Sequence, residues 1–204
     1  AVQKESFDAE LRDSVRRLRD SSTAIFNGVR LGKRPADAIL DLRAADGAQH
    51  AEPVLGTDWN TSDHPGHWRQ DPIGLSTVAL GAHWGEVRPF VLNSSSQFRV
   101  PPPPAMNSQE YTEAFNEVKR LGGDGKTTPT ERTRDQTFAG IFWAYDGTPS
   151  LCAPPRLYNQ IAVQIAKQRG SSAMATARLL ALINVALADS GIAIWESKFF
   201  YDFW

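Results

Sequence analysis

The tightest constraint on this chain lies near its end. The run from Ala173 to Asp189 is strongly apolar. It leads into Trp195-Glu196-Ser197-Lys198-Phe199-Phe200-Tyr201-Asp202-Phe203-Trp204, where one lysine stands among six aromatic residues. Aromatic side chains bury about 150–250 Å² each when packed, so the segment must lie against something. Lysine is strongly hydrated and seldom fully buried without a partner, so a lysine in this setting is expected to meet an anion. Trp195 and Lys198 sit at i, i+3 on a helix, where the indole can support the lysine stem. Asp202, at i+4 from Lys198, offers the plainer alternative of a surface ion pair, and spacing alone favours that pair.

The rest of the chain carries mostly helical signals. Phe7, Leu11, Val15 and Leu18 have helical spacing. A second helix starts from a Ser22 or Thr23 cap, presents Gly28 and Gly32 as small faces, and is expected to break at Pro35, which opens a new helix over Ala36–Leu42. Ala45-Asp46-Gly47 stops it. Residues 47–107 form a long loop region rich in Gly, Pro, Ser, Asp, His and Trp, with a short helix expected over Leu75–Trp84. Trp59, Trp68, Trp84, Phe90 and Phe98 argue that this loop is packed and ordered, and loops of such length are often functional. Further helices are expected from Ser108 to Leu121, Thr130 to Tyr145, Pro154 to Arg169 and Ala173 to Ser190. Gly191 should end the last of these, and Ile192 should begin a separate helix carrying Lys198. No alternating runs joined by hairpin turns occur. The expected fold is all-α, one helical domain over 1–204 with a long ordered loop.

Charge separates few function classes here. Lys plus Arg number 22 and Asp plus Glu 23, so no bulk field favours nucleic acid or a membrane surface. Arg12, Arg16, Arg17, Arg19, Arg30, Lys33 and Arg34 crowd the first 34 residues and fit solvated helix faces. Cys152 is the single cysteine, which excludes an intrachain disulfide and a cysteine metal site. The apolar run at Ala173 contains Arg178, Asn184 and Asp189, so it is expected to be a buried core helix and not a membrane span. The first residue, Ala1, fits removal of a leader or a tag scar, and export is favoured over the cytoplasm.

Three motifs offer chemistry and carry little of it. Asp63-His64-Pro65-Gly66-His67 has metal-ligand residue types, but Pro and Gly keep the histidines off a helix face and no third ligand is placed by spacing; exposed loop histidines are the simpler reading. Gly122-Gly123-Asp124-Gly125-Lys126-Thr127-Thr128 ends like a phosphate loop, yet no strand precedes it and its glycine spacing is wrong, so a mobile turn is expected. Ser94-Ser95-Ser96 lacks a nucleophile-elbow pattern.

Four ordered segments together resemble a family. Ile194 to Trp204 resembles the stretch carrying the first vanadate-binding residue of the vanadium-dependent haloperoxidases, which share a superfamily with type 2 phosphatidic acid phosphatases and bacterial acid phosphatases. Arg88-Pro89-Phe90 with Ser96-Gln97-Phe98-Arg99 and the proline run, Phe142 to Gly147, and Pro154 to Ile161 agree in the same order. The similarity runs from about Arg88 to Trp204 and is closest to the chloroperoxidase-like branch. It implies the helical-bundle haloperoxidase/acid phosphatase-like fold, incomplete in this chain.

By that resemblance Lys198 is the catalytic, cofactor-binding lysine that donates to vanadate or phosphate oxygens. Asp146 pairs with the family's second arginine, and Trp195 stands beside the halide position. The family's next residues, Arg-Pro, its Pro-Ser-Gly-His segment, its further arginine and its vanadium-bonding histidine are not found within 1–204, so no direct protein–metal bond is expected from this chain. The implied cofactor is vanadate, a phosphate-like oxyanion held by charge-assisted hydrogen bonds. It acts as a Lewis acid on peroxide, so that halide is oxidised to hypohalous acid. The implied partners are hydrogen peroxide, halide, a small organic substrate and a C-terminal fragment or second polypeptide that completes the site; a homo-oligomer is possible. Phosphate-ester hydrolysis on the same cradle is the alternative activity. A non-catalytic helical subunit needing a partner chain is the second alternative.

Overall fold

The protein is described by a computed structural model, which covers residues 2–144 and 154–203. Two compact units follow one another in the chain, Ala1–Gln49 and His50–Trp204. In the first, α1 spans Val2–Arg16 and α2 spans Ser22–Arg43. The Ser21 hydroxyl accepts the Ala24 N–H and caps α2. The expected break at Pro35 does not occur, and α2 runs straight through it. An interior proline removes one i→i−4 bond and costs about 3 kcal/mol. Here no residue of α2 is buried, so water can satisfy the carbonyl that the proline orphans. After α2, Arg43 pairs with Asp46, whose carboxylate also accepts the Ala48 N–H. The Ala48 bond, then the Arg43 charge, hold Asp46 below the usual carboxylate range.

The second unit contains α3 (Gln109–Leu121), α4 (Arg134–Trp143), α5 (Pro154–Gln168) and α6 (Ala173–Tyr201), with a 3₁₀ turn at Trp84–Glu86. Ser108 caps α3 through the Tyr111 N–H. Thr133 and Gln136 form a reciprocal capping box on α4, which starts that helix at Arg134 rather than near Thr130. Ser172 caps α6 through the Ala175 N–H. Between α5 and α6, Gly170 adopts φ +62°, a left-handed value suited to glycine. The chain thereby reverses, and α5 packs on α6 with Ala162 and Ala166 buried. The amides of Asn159 and Asn184 exchange hydrogen bonds of 3.0 and 2.9 Å across this pair.

α6 does not break at Gly191. It continues for 29 residues to Tyr201, because one helical glycine costs only about 1 kcal/mol while propagation gains a bond per residue. Gly191 also leaves room for the Trp84 indole. The expected helix over Leu75–Trp84 is replaced by turns and the 3₁₀ turn that follows. α6 is not a buried core helix within these residues: only Asp189, Ile192 and Ser197 along it are buried. One side meets α5 and another meets the long loop, while Leu182, Ile194 and Phe200 remain exposed. By length and hydropathy alone it could cross a membrane.

The long loop is ordered and lies along the C-terminal half of α6. Ala79, Ala82 and Val87 of the loop and Ile192 of α6 are buried. Asp189, itself buried, accepts the N–H groups of Phe90, Val91 and Leu92 at 2.6, 2.8 and 3.1 Å. About two turns along, Glu196 forms a bidentate pair with Arg99, whose guanidinium also lies over the Phe200 ring. Ser197 Oγ accepts the Val100 N–H, and Tyr201 Oη donates to the Val100 carbonyl. Gly85 approaches α6 so closely that an added Cβ would stand 2.7 Å from the Glu196 Cα. Replacing Gly85 by alanine should therefore push the 3₁₀ turn off the helix and cost about 1–3 kcal/mol, the usual range for overpacking. Urea denaturation of the complete protein measures it; an unchanged midpoint would show that the contact is slack.

Candidate functional site

The C-terminal turns of α6 bring Trp195, Lys198 and Phe199 onto one face. Their spacing is i, i+3 and i+4, which stacks side chains on a helix surface. The Lys198 ammonium lies 4.0 Å from the Trp195 ring centroid and 5.6 Å from that of Phe199. Trp59 and Trp68 from the loop close on Phe199 at 5.2 and 5.9 Å between centroids. Trp195 also packs against Gly81, where a Cβ would meet the indole at 3.3 Å. The indole thus contacts both the loop and the lysine, and its ring quadrupole favours the cation.

Lys198 has no hydrogen-bond or ion-pair partner among the described residues. Burial of part of its surroundings pushes its pKa below the ordinary lysine value, because desolvation disfavours the charged form. The aromatic face offsets some of that cost but supplies no counter-ion. The surface pair with Asp202 is not made. Asp202 ends α6 in a left-handed conformation, φ 46°, and its carboxylate instead lies 3.3 Å from Nδ1 of His67. The backbone follows the same course, with the Trp68 N–H donating to the Asp202 carbonyl. The i+4 spacing assumes that both residues are helical, and the left-handed turn takes Asp202 off the helix face.

Lys198 and Trp195 line a cavity of about 340 Å³ with loop residues that include Trp68, Arg69 and Val78. Asp146 lies outside the described residues. His64 and His67 have ring centroids 6.4 Å apart, and no three metal-ligating side chains gather among the described residues. The turn at Gly122–Thr128 is closed by Asp124, whose carboxylate accepts the N–H groups of Lys126, Thr127 and Thr128 and the Thr127 hydroxyl. Those bonds drive the Asp124 pKa far below the usual carboxylate range. The backbone donors that a phosphate would need are already engaged.

Three residues that hold the site in place were not foreseen as such. Asp189, Glu196 and Arg99 bind the loop to the C-terminal half of α6, the stretch that carries Lys198. Asp189 carried a usable signal, since a carboxylate inside an apolar helix needs donors. Arg99 and Glu196 carried none, because nothing local links residues 97 apart in sequence.

No family model matches the chain. It is 33% identical over 134 residues to the vanadium chloroperoxidase of Curvularia inaequalis, a match covering 59% of this chain and 22% of that protein. Its backbone superposes on the crystal structure of the first bacterial vanadium-dependent iodoperoxidase with a TM-score of 0.67 and 24% identity, covering 88% of this chain and 43% of that one. The fold is therefore the helical haloperoxidase fold, and the chain is related to the vanadium haloperoxidases over part of its length. It spans less than half of either protein.

Proposed function

We propose that these residues are the N-terminal part of a vanadate-dependent haloperoxidase that oxidises halide with hydrogen peroxide, and that Lys198 donates to the oxyanion. The observation that carries this is the ammonium of Lys198. It is held on an indole, partly desolvated and without an anion among the described residues. Such a group fits one donor of an oxyanion cradle, because an arriving anion restores the charge balance that burial disturbs. One lysine does not make the cradle. The remaining donors come from polypeptide outside these residues, and Asp146 holds one of those arginines. When bound, vanadate supplies a Lewis acid that polarises peroxide toward halide. Lys198 fixes the position of the oxyanion and withdraws electron density through its hydrogen bond. Trp195 orients the lysine and flanks the halide.

The same polypeptide covers the exposed apolar faces of this unit. Phe138, Ile141, Phe142 and Trp143 on α4, and Ile194 and Phe200 on α6, all remain exposed, and patches of this kind mark association sites. Protein suits α6 better than lipid, since Asp189, Glu196 and Lys198 would be costly in a bilayer.

The complete polypeptide should oxidise iodide or bromide with peroxide only when vanadate is present. Phosphate-ester hydrolysis without halide oxidation at any vanadate concentration would instead assign the related phosphatase activity. Neither activity would leave the helical subunit reading.

A further inference from the structure

The turn before α3 places a thioether at the joint between the loop and the end of α6. Gly66 has φ +85°, a value that favours glycine, and Met106 fills the space where a side chain there would stand. A Cβ on Gly66 would lie 3.0 Å from the Met106 Sδ, 3.2 Å from its Cε and 3.4 Å from the Phe203 ring. Beside that contact the loop is tied to α6. His67 and Phe203 pair as an isolated bridge. The Trp68 N–H donates to the Asp202 carbonyl at 2.9 Å, and the Asp202 carboxylate lies 3.3 Å from His67 Nδ1. The Trp68 ring stands 5.9 Å from that of Phe199 and lines the cavity with Lys198.

Met106 is also 43% exposed, so a small oxidant in water reaches it. A thioether is a soft nucleophile, and peroxide converts it to a sulfoxide. The sulfur lone pair attacks one peroxide oxygen, the O–O bond breaks, and the other oxygen takes a proton and leaves as water. Sulfur loses the two electrons that the peroxide gains. A hypohalous acid gives the same sulfoxide and releases halide and a proton. The product is polar and chiral where the thioether was apolar, and it loses the adaptable apolar packing over Gly66 and Phe203. Met174 is the other methionine within 1–204. It is 80% exposed in the first turn of α6, about 36 Å from Lys198 along the helix at 1.5 Å per residue. It is the more reachable sulfur and lies far from the joint. We infer that Met106 is an oxidation site whose sulfoxide loosens the His67–Trp68 segment from the end of α6, and so disturbs the cavity beside Lys198. The proposed function enters only in making peroxide and hypohalous acid the oxidants that the protein meets.

The test exposes the complete protein to hydrogen peroxide without halide or vanadate. Peptide mass spectrometry reads the sulfoxide at Met106 and at Met174, and hydrogen exchange reads the Trp68 amide. Protein oxidised at Met106 should exchange that amide about tenfold faster, equivalent to about 1.4 kcal/mol of local stability. Methionine sulfoxide reductase should restore the slow rate. Met106→Leu keeps an apolar side chain of similar volume, and its Trp68 rate should not change under peroxide. Met174→Leu should behave as the unaltered protein does. An unchanged Trp68 rate with Met106 oxidised overturns the inference. So does an acceleration that follows Met174 oxidation or persists in Met106→Leu, or a Met106 that stays reduced once Met174 is fully oxidised. If circular dichroism shows Met106→Leu unfolded, the oxidised and reduced forms of the unaltered protein decide alone. Iodide oxidation assayed separately keeps the two readings apart: its absence removes the peroxidase assignment and leaves the exchange result standing.

Discussion

Lys198→Ala in the complete protein should lower vanadate-dependent halide oxidation by about 10²–10³-fold, the loss seen when one preorganised donor is removed from a charge-stabilising site. Vanadate affinity should fall with it. The pH dependence adds a sharper check. Only the protonated ammonium can donate to an anion, and burial has lowered the Lys198 pKa below 10.5. Anion affinity attributable to Lys198 is therefore full below that depressed pKa and is lost as pH rises through it. Lys198→Arg carries a charge that persists past pH 12, so its affinity should hold to higher pH even if its absolute value drops. Identical alkaline limits for the two proteins, or full turnover of Lys198→Ala at limiting vanadate, would show that the anion sits elsewhere.

Asp189→Ala should be the most damaging change away from the site. It removes one buried carboxylate and leaves three N–H groups, those of Phe90, Val91 and Leu92, without their acceptor. Hydrogen bonds to a charged group contribute about 1.5–3 kcal/mol each, and a stranded buried donor costs about 1–3 kcal/mol. These terms overlap, and an overall loss of at least about 3 kcal/mol is expected. Asp189→Asn keeps the shape and one acceptor but turns donors toward donors, so it should recover only part. Urea denaturation gives the loss. Proteolysis of the 86–100 segment reports whether the loop is the part released. A loss under 1 kcal/mol, or a loop that stays protected, would mean that other contacts hold it.

The helical architecture was legible because caps and periodicity are local. Ser108 opens its helix as expected, and Thr133 and Ser172 cap theirs by the same local bond, each accepting the N–H of the third helical residue. The pairing of Trp195 with Lys198 was legible for the same reason, since i, i+3 spacing is a property of the helix itself. Local rules also misled. Pro35 and Gly191 signal breaks, and both helices run through them because neighbouring turns outweigh one unfavourable residue. Asp202 pairs with His67 and not Lys198 because a left-handed residue ends the helix before the i+4 rule can apply. The clamp of Asp189, Glu196 and Ser197 on the loop lay beyond local reasoning, as its partners are about a hundred residues earlier. The same holds for the cavity, whose two walls come from different parts of the chain.

That separation has a consequence for how the protein is made. The loop emerges from the ribosome well before the helix that orders it, since Asp189 follows Phe90 by 99 residues. At about 5–20 residues per second this gap lasts roughly 5–20 s. Throughout it the segment bearing Trp59, Trp68, Trp84 and Phe90 has no docking surface of its own, and its closure entropy must be met before any long-range contact can reward it. The nascent chain thus spends that interval as an aromatic, unanchored tether. Synonymous changes that slow translation between the loop and α6 would lengthen its exposure to chaperones and to aggregation without altering a single contact in the finished molecule.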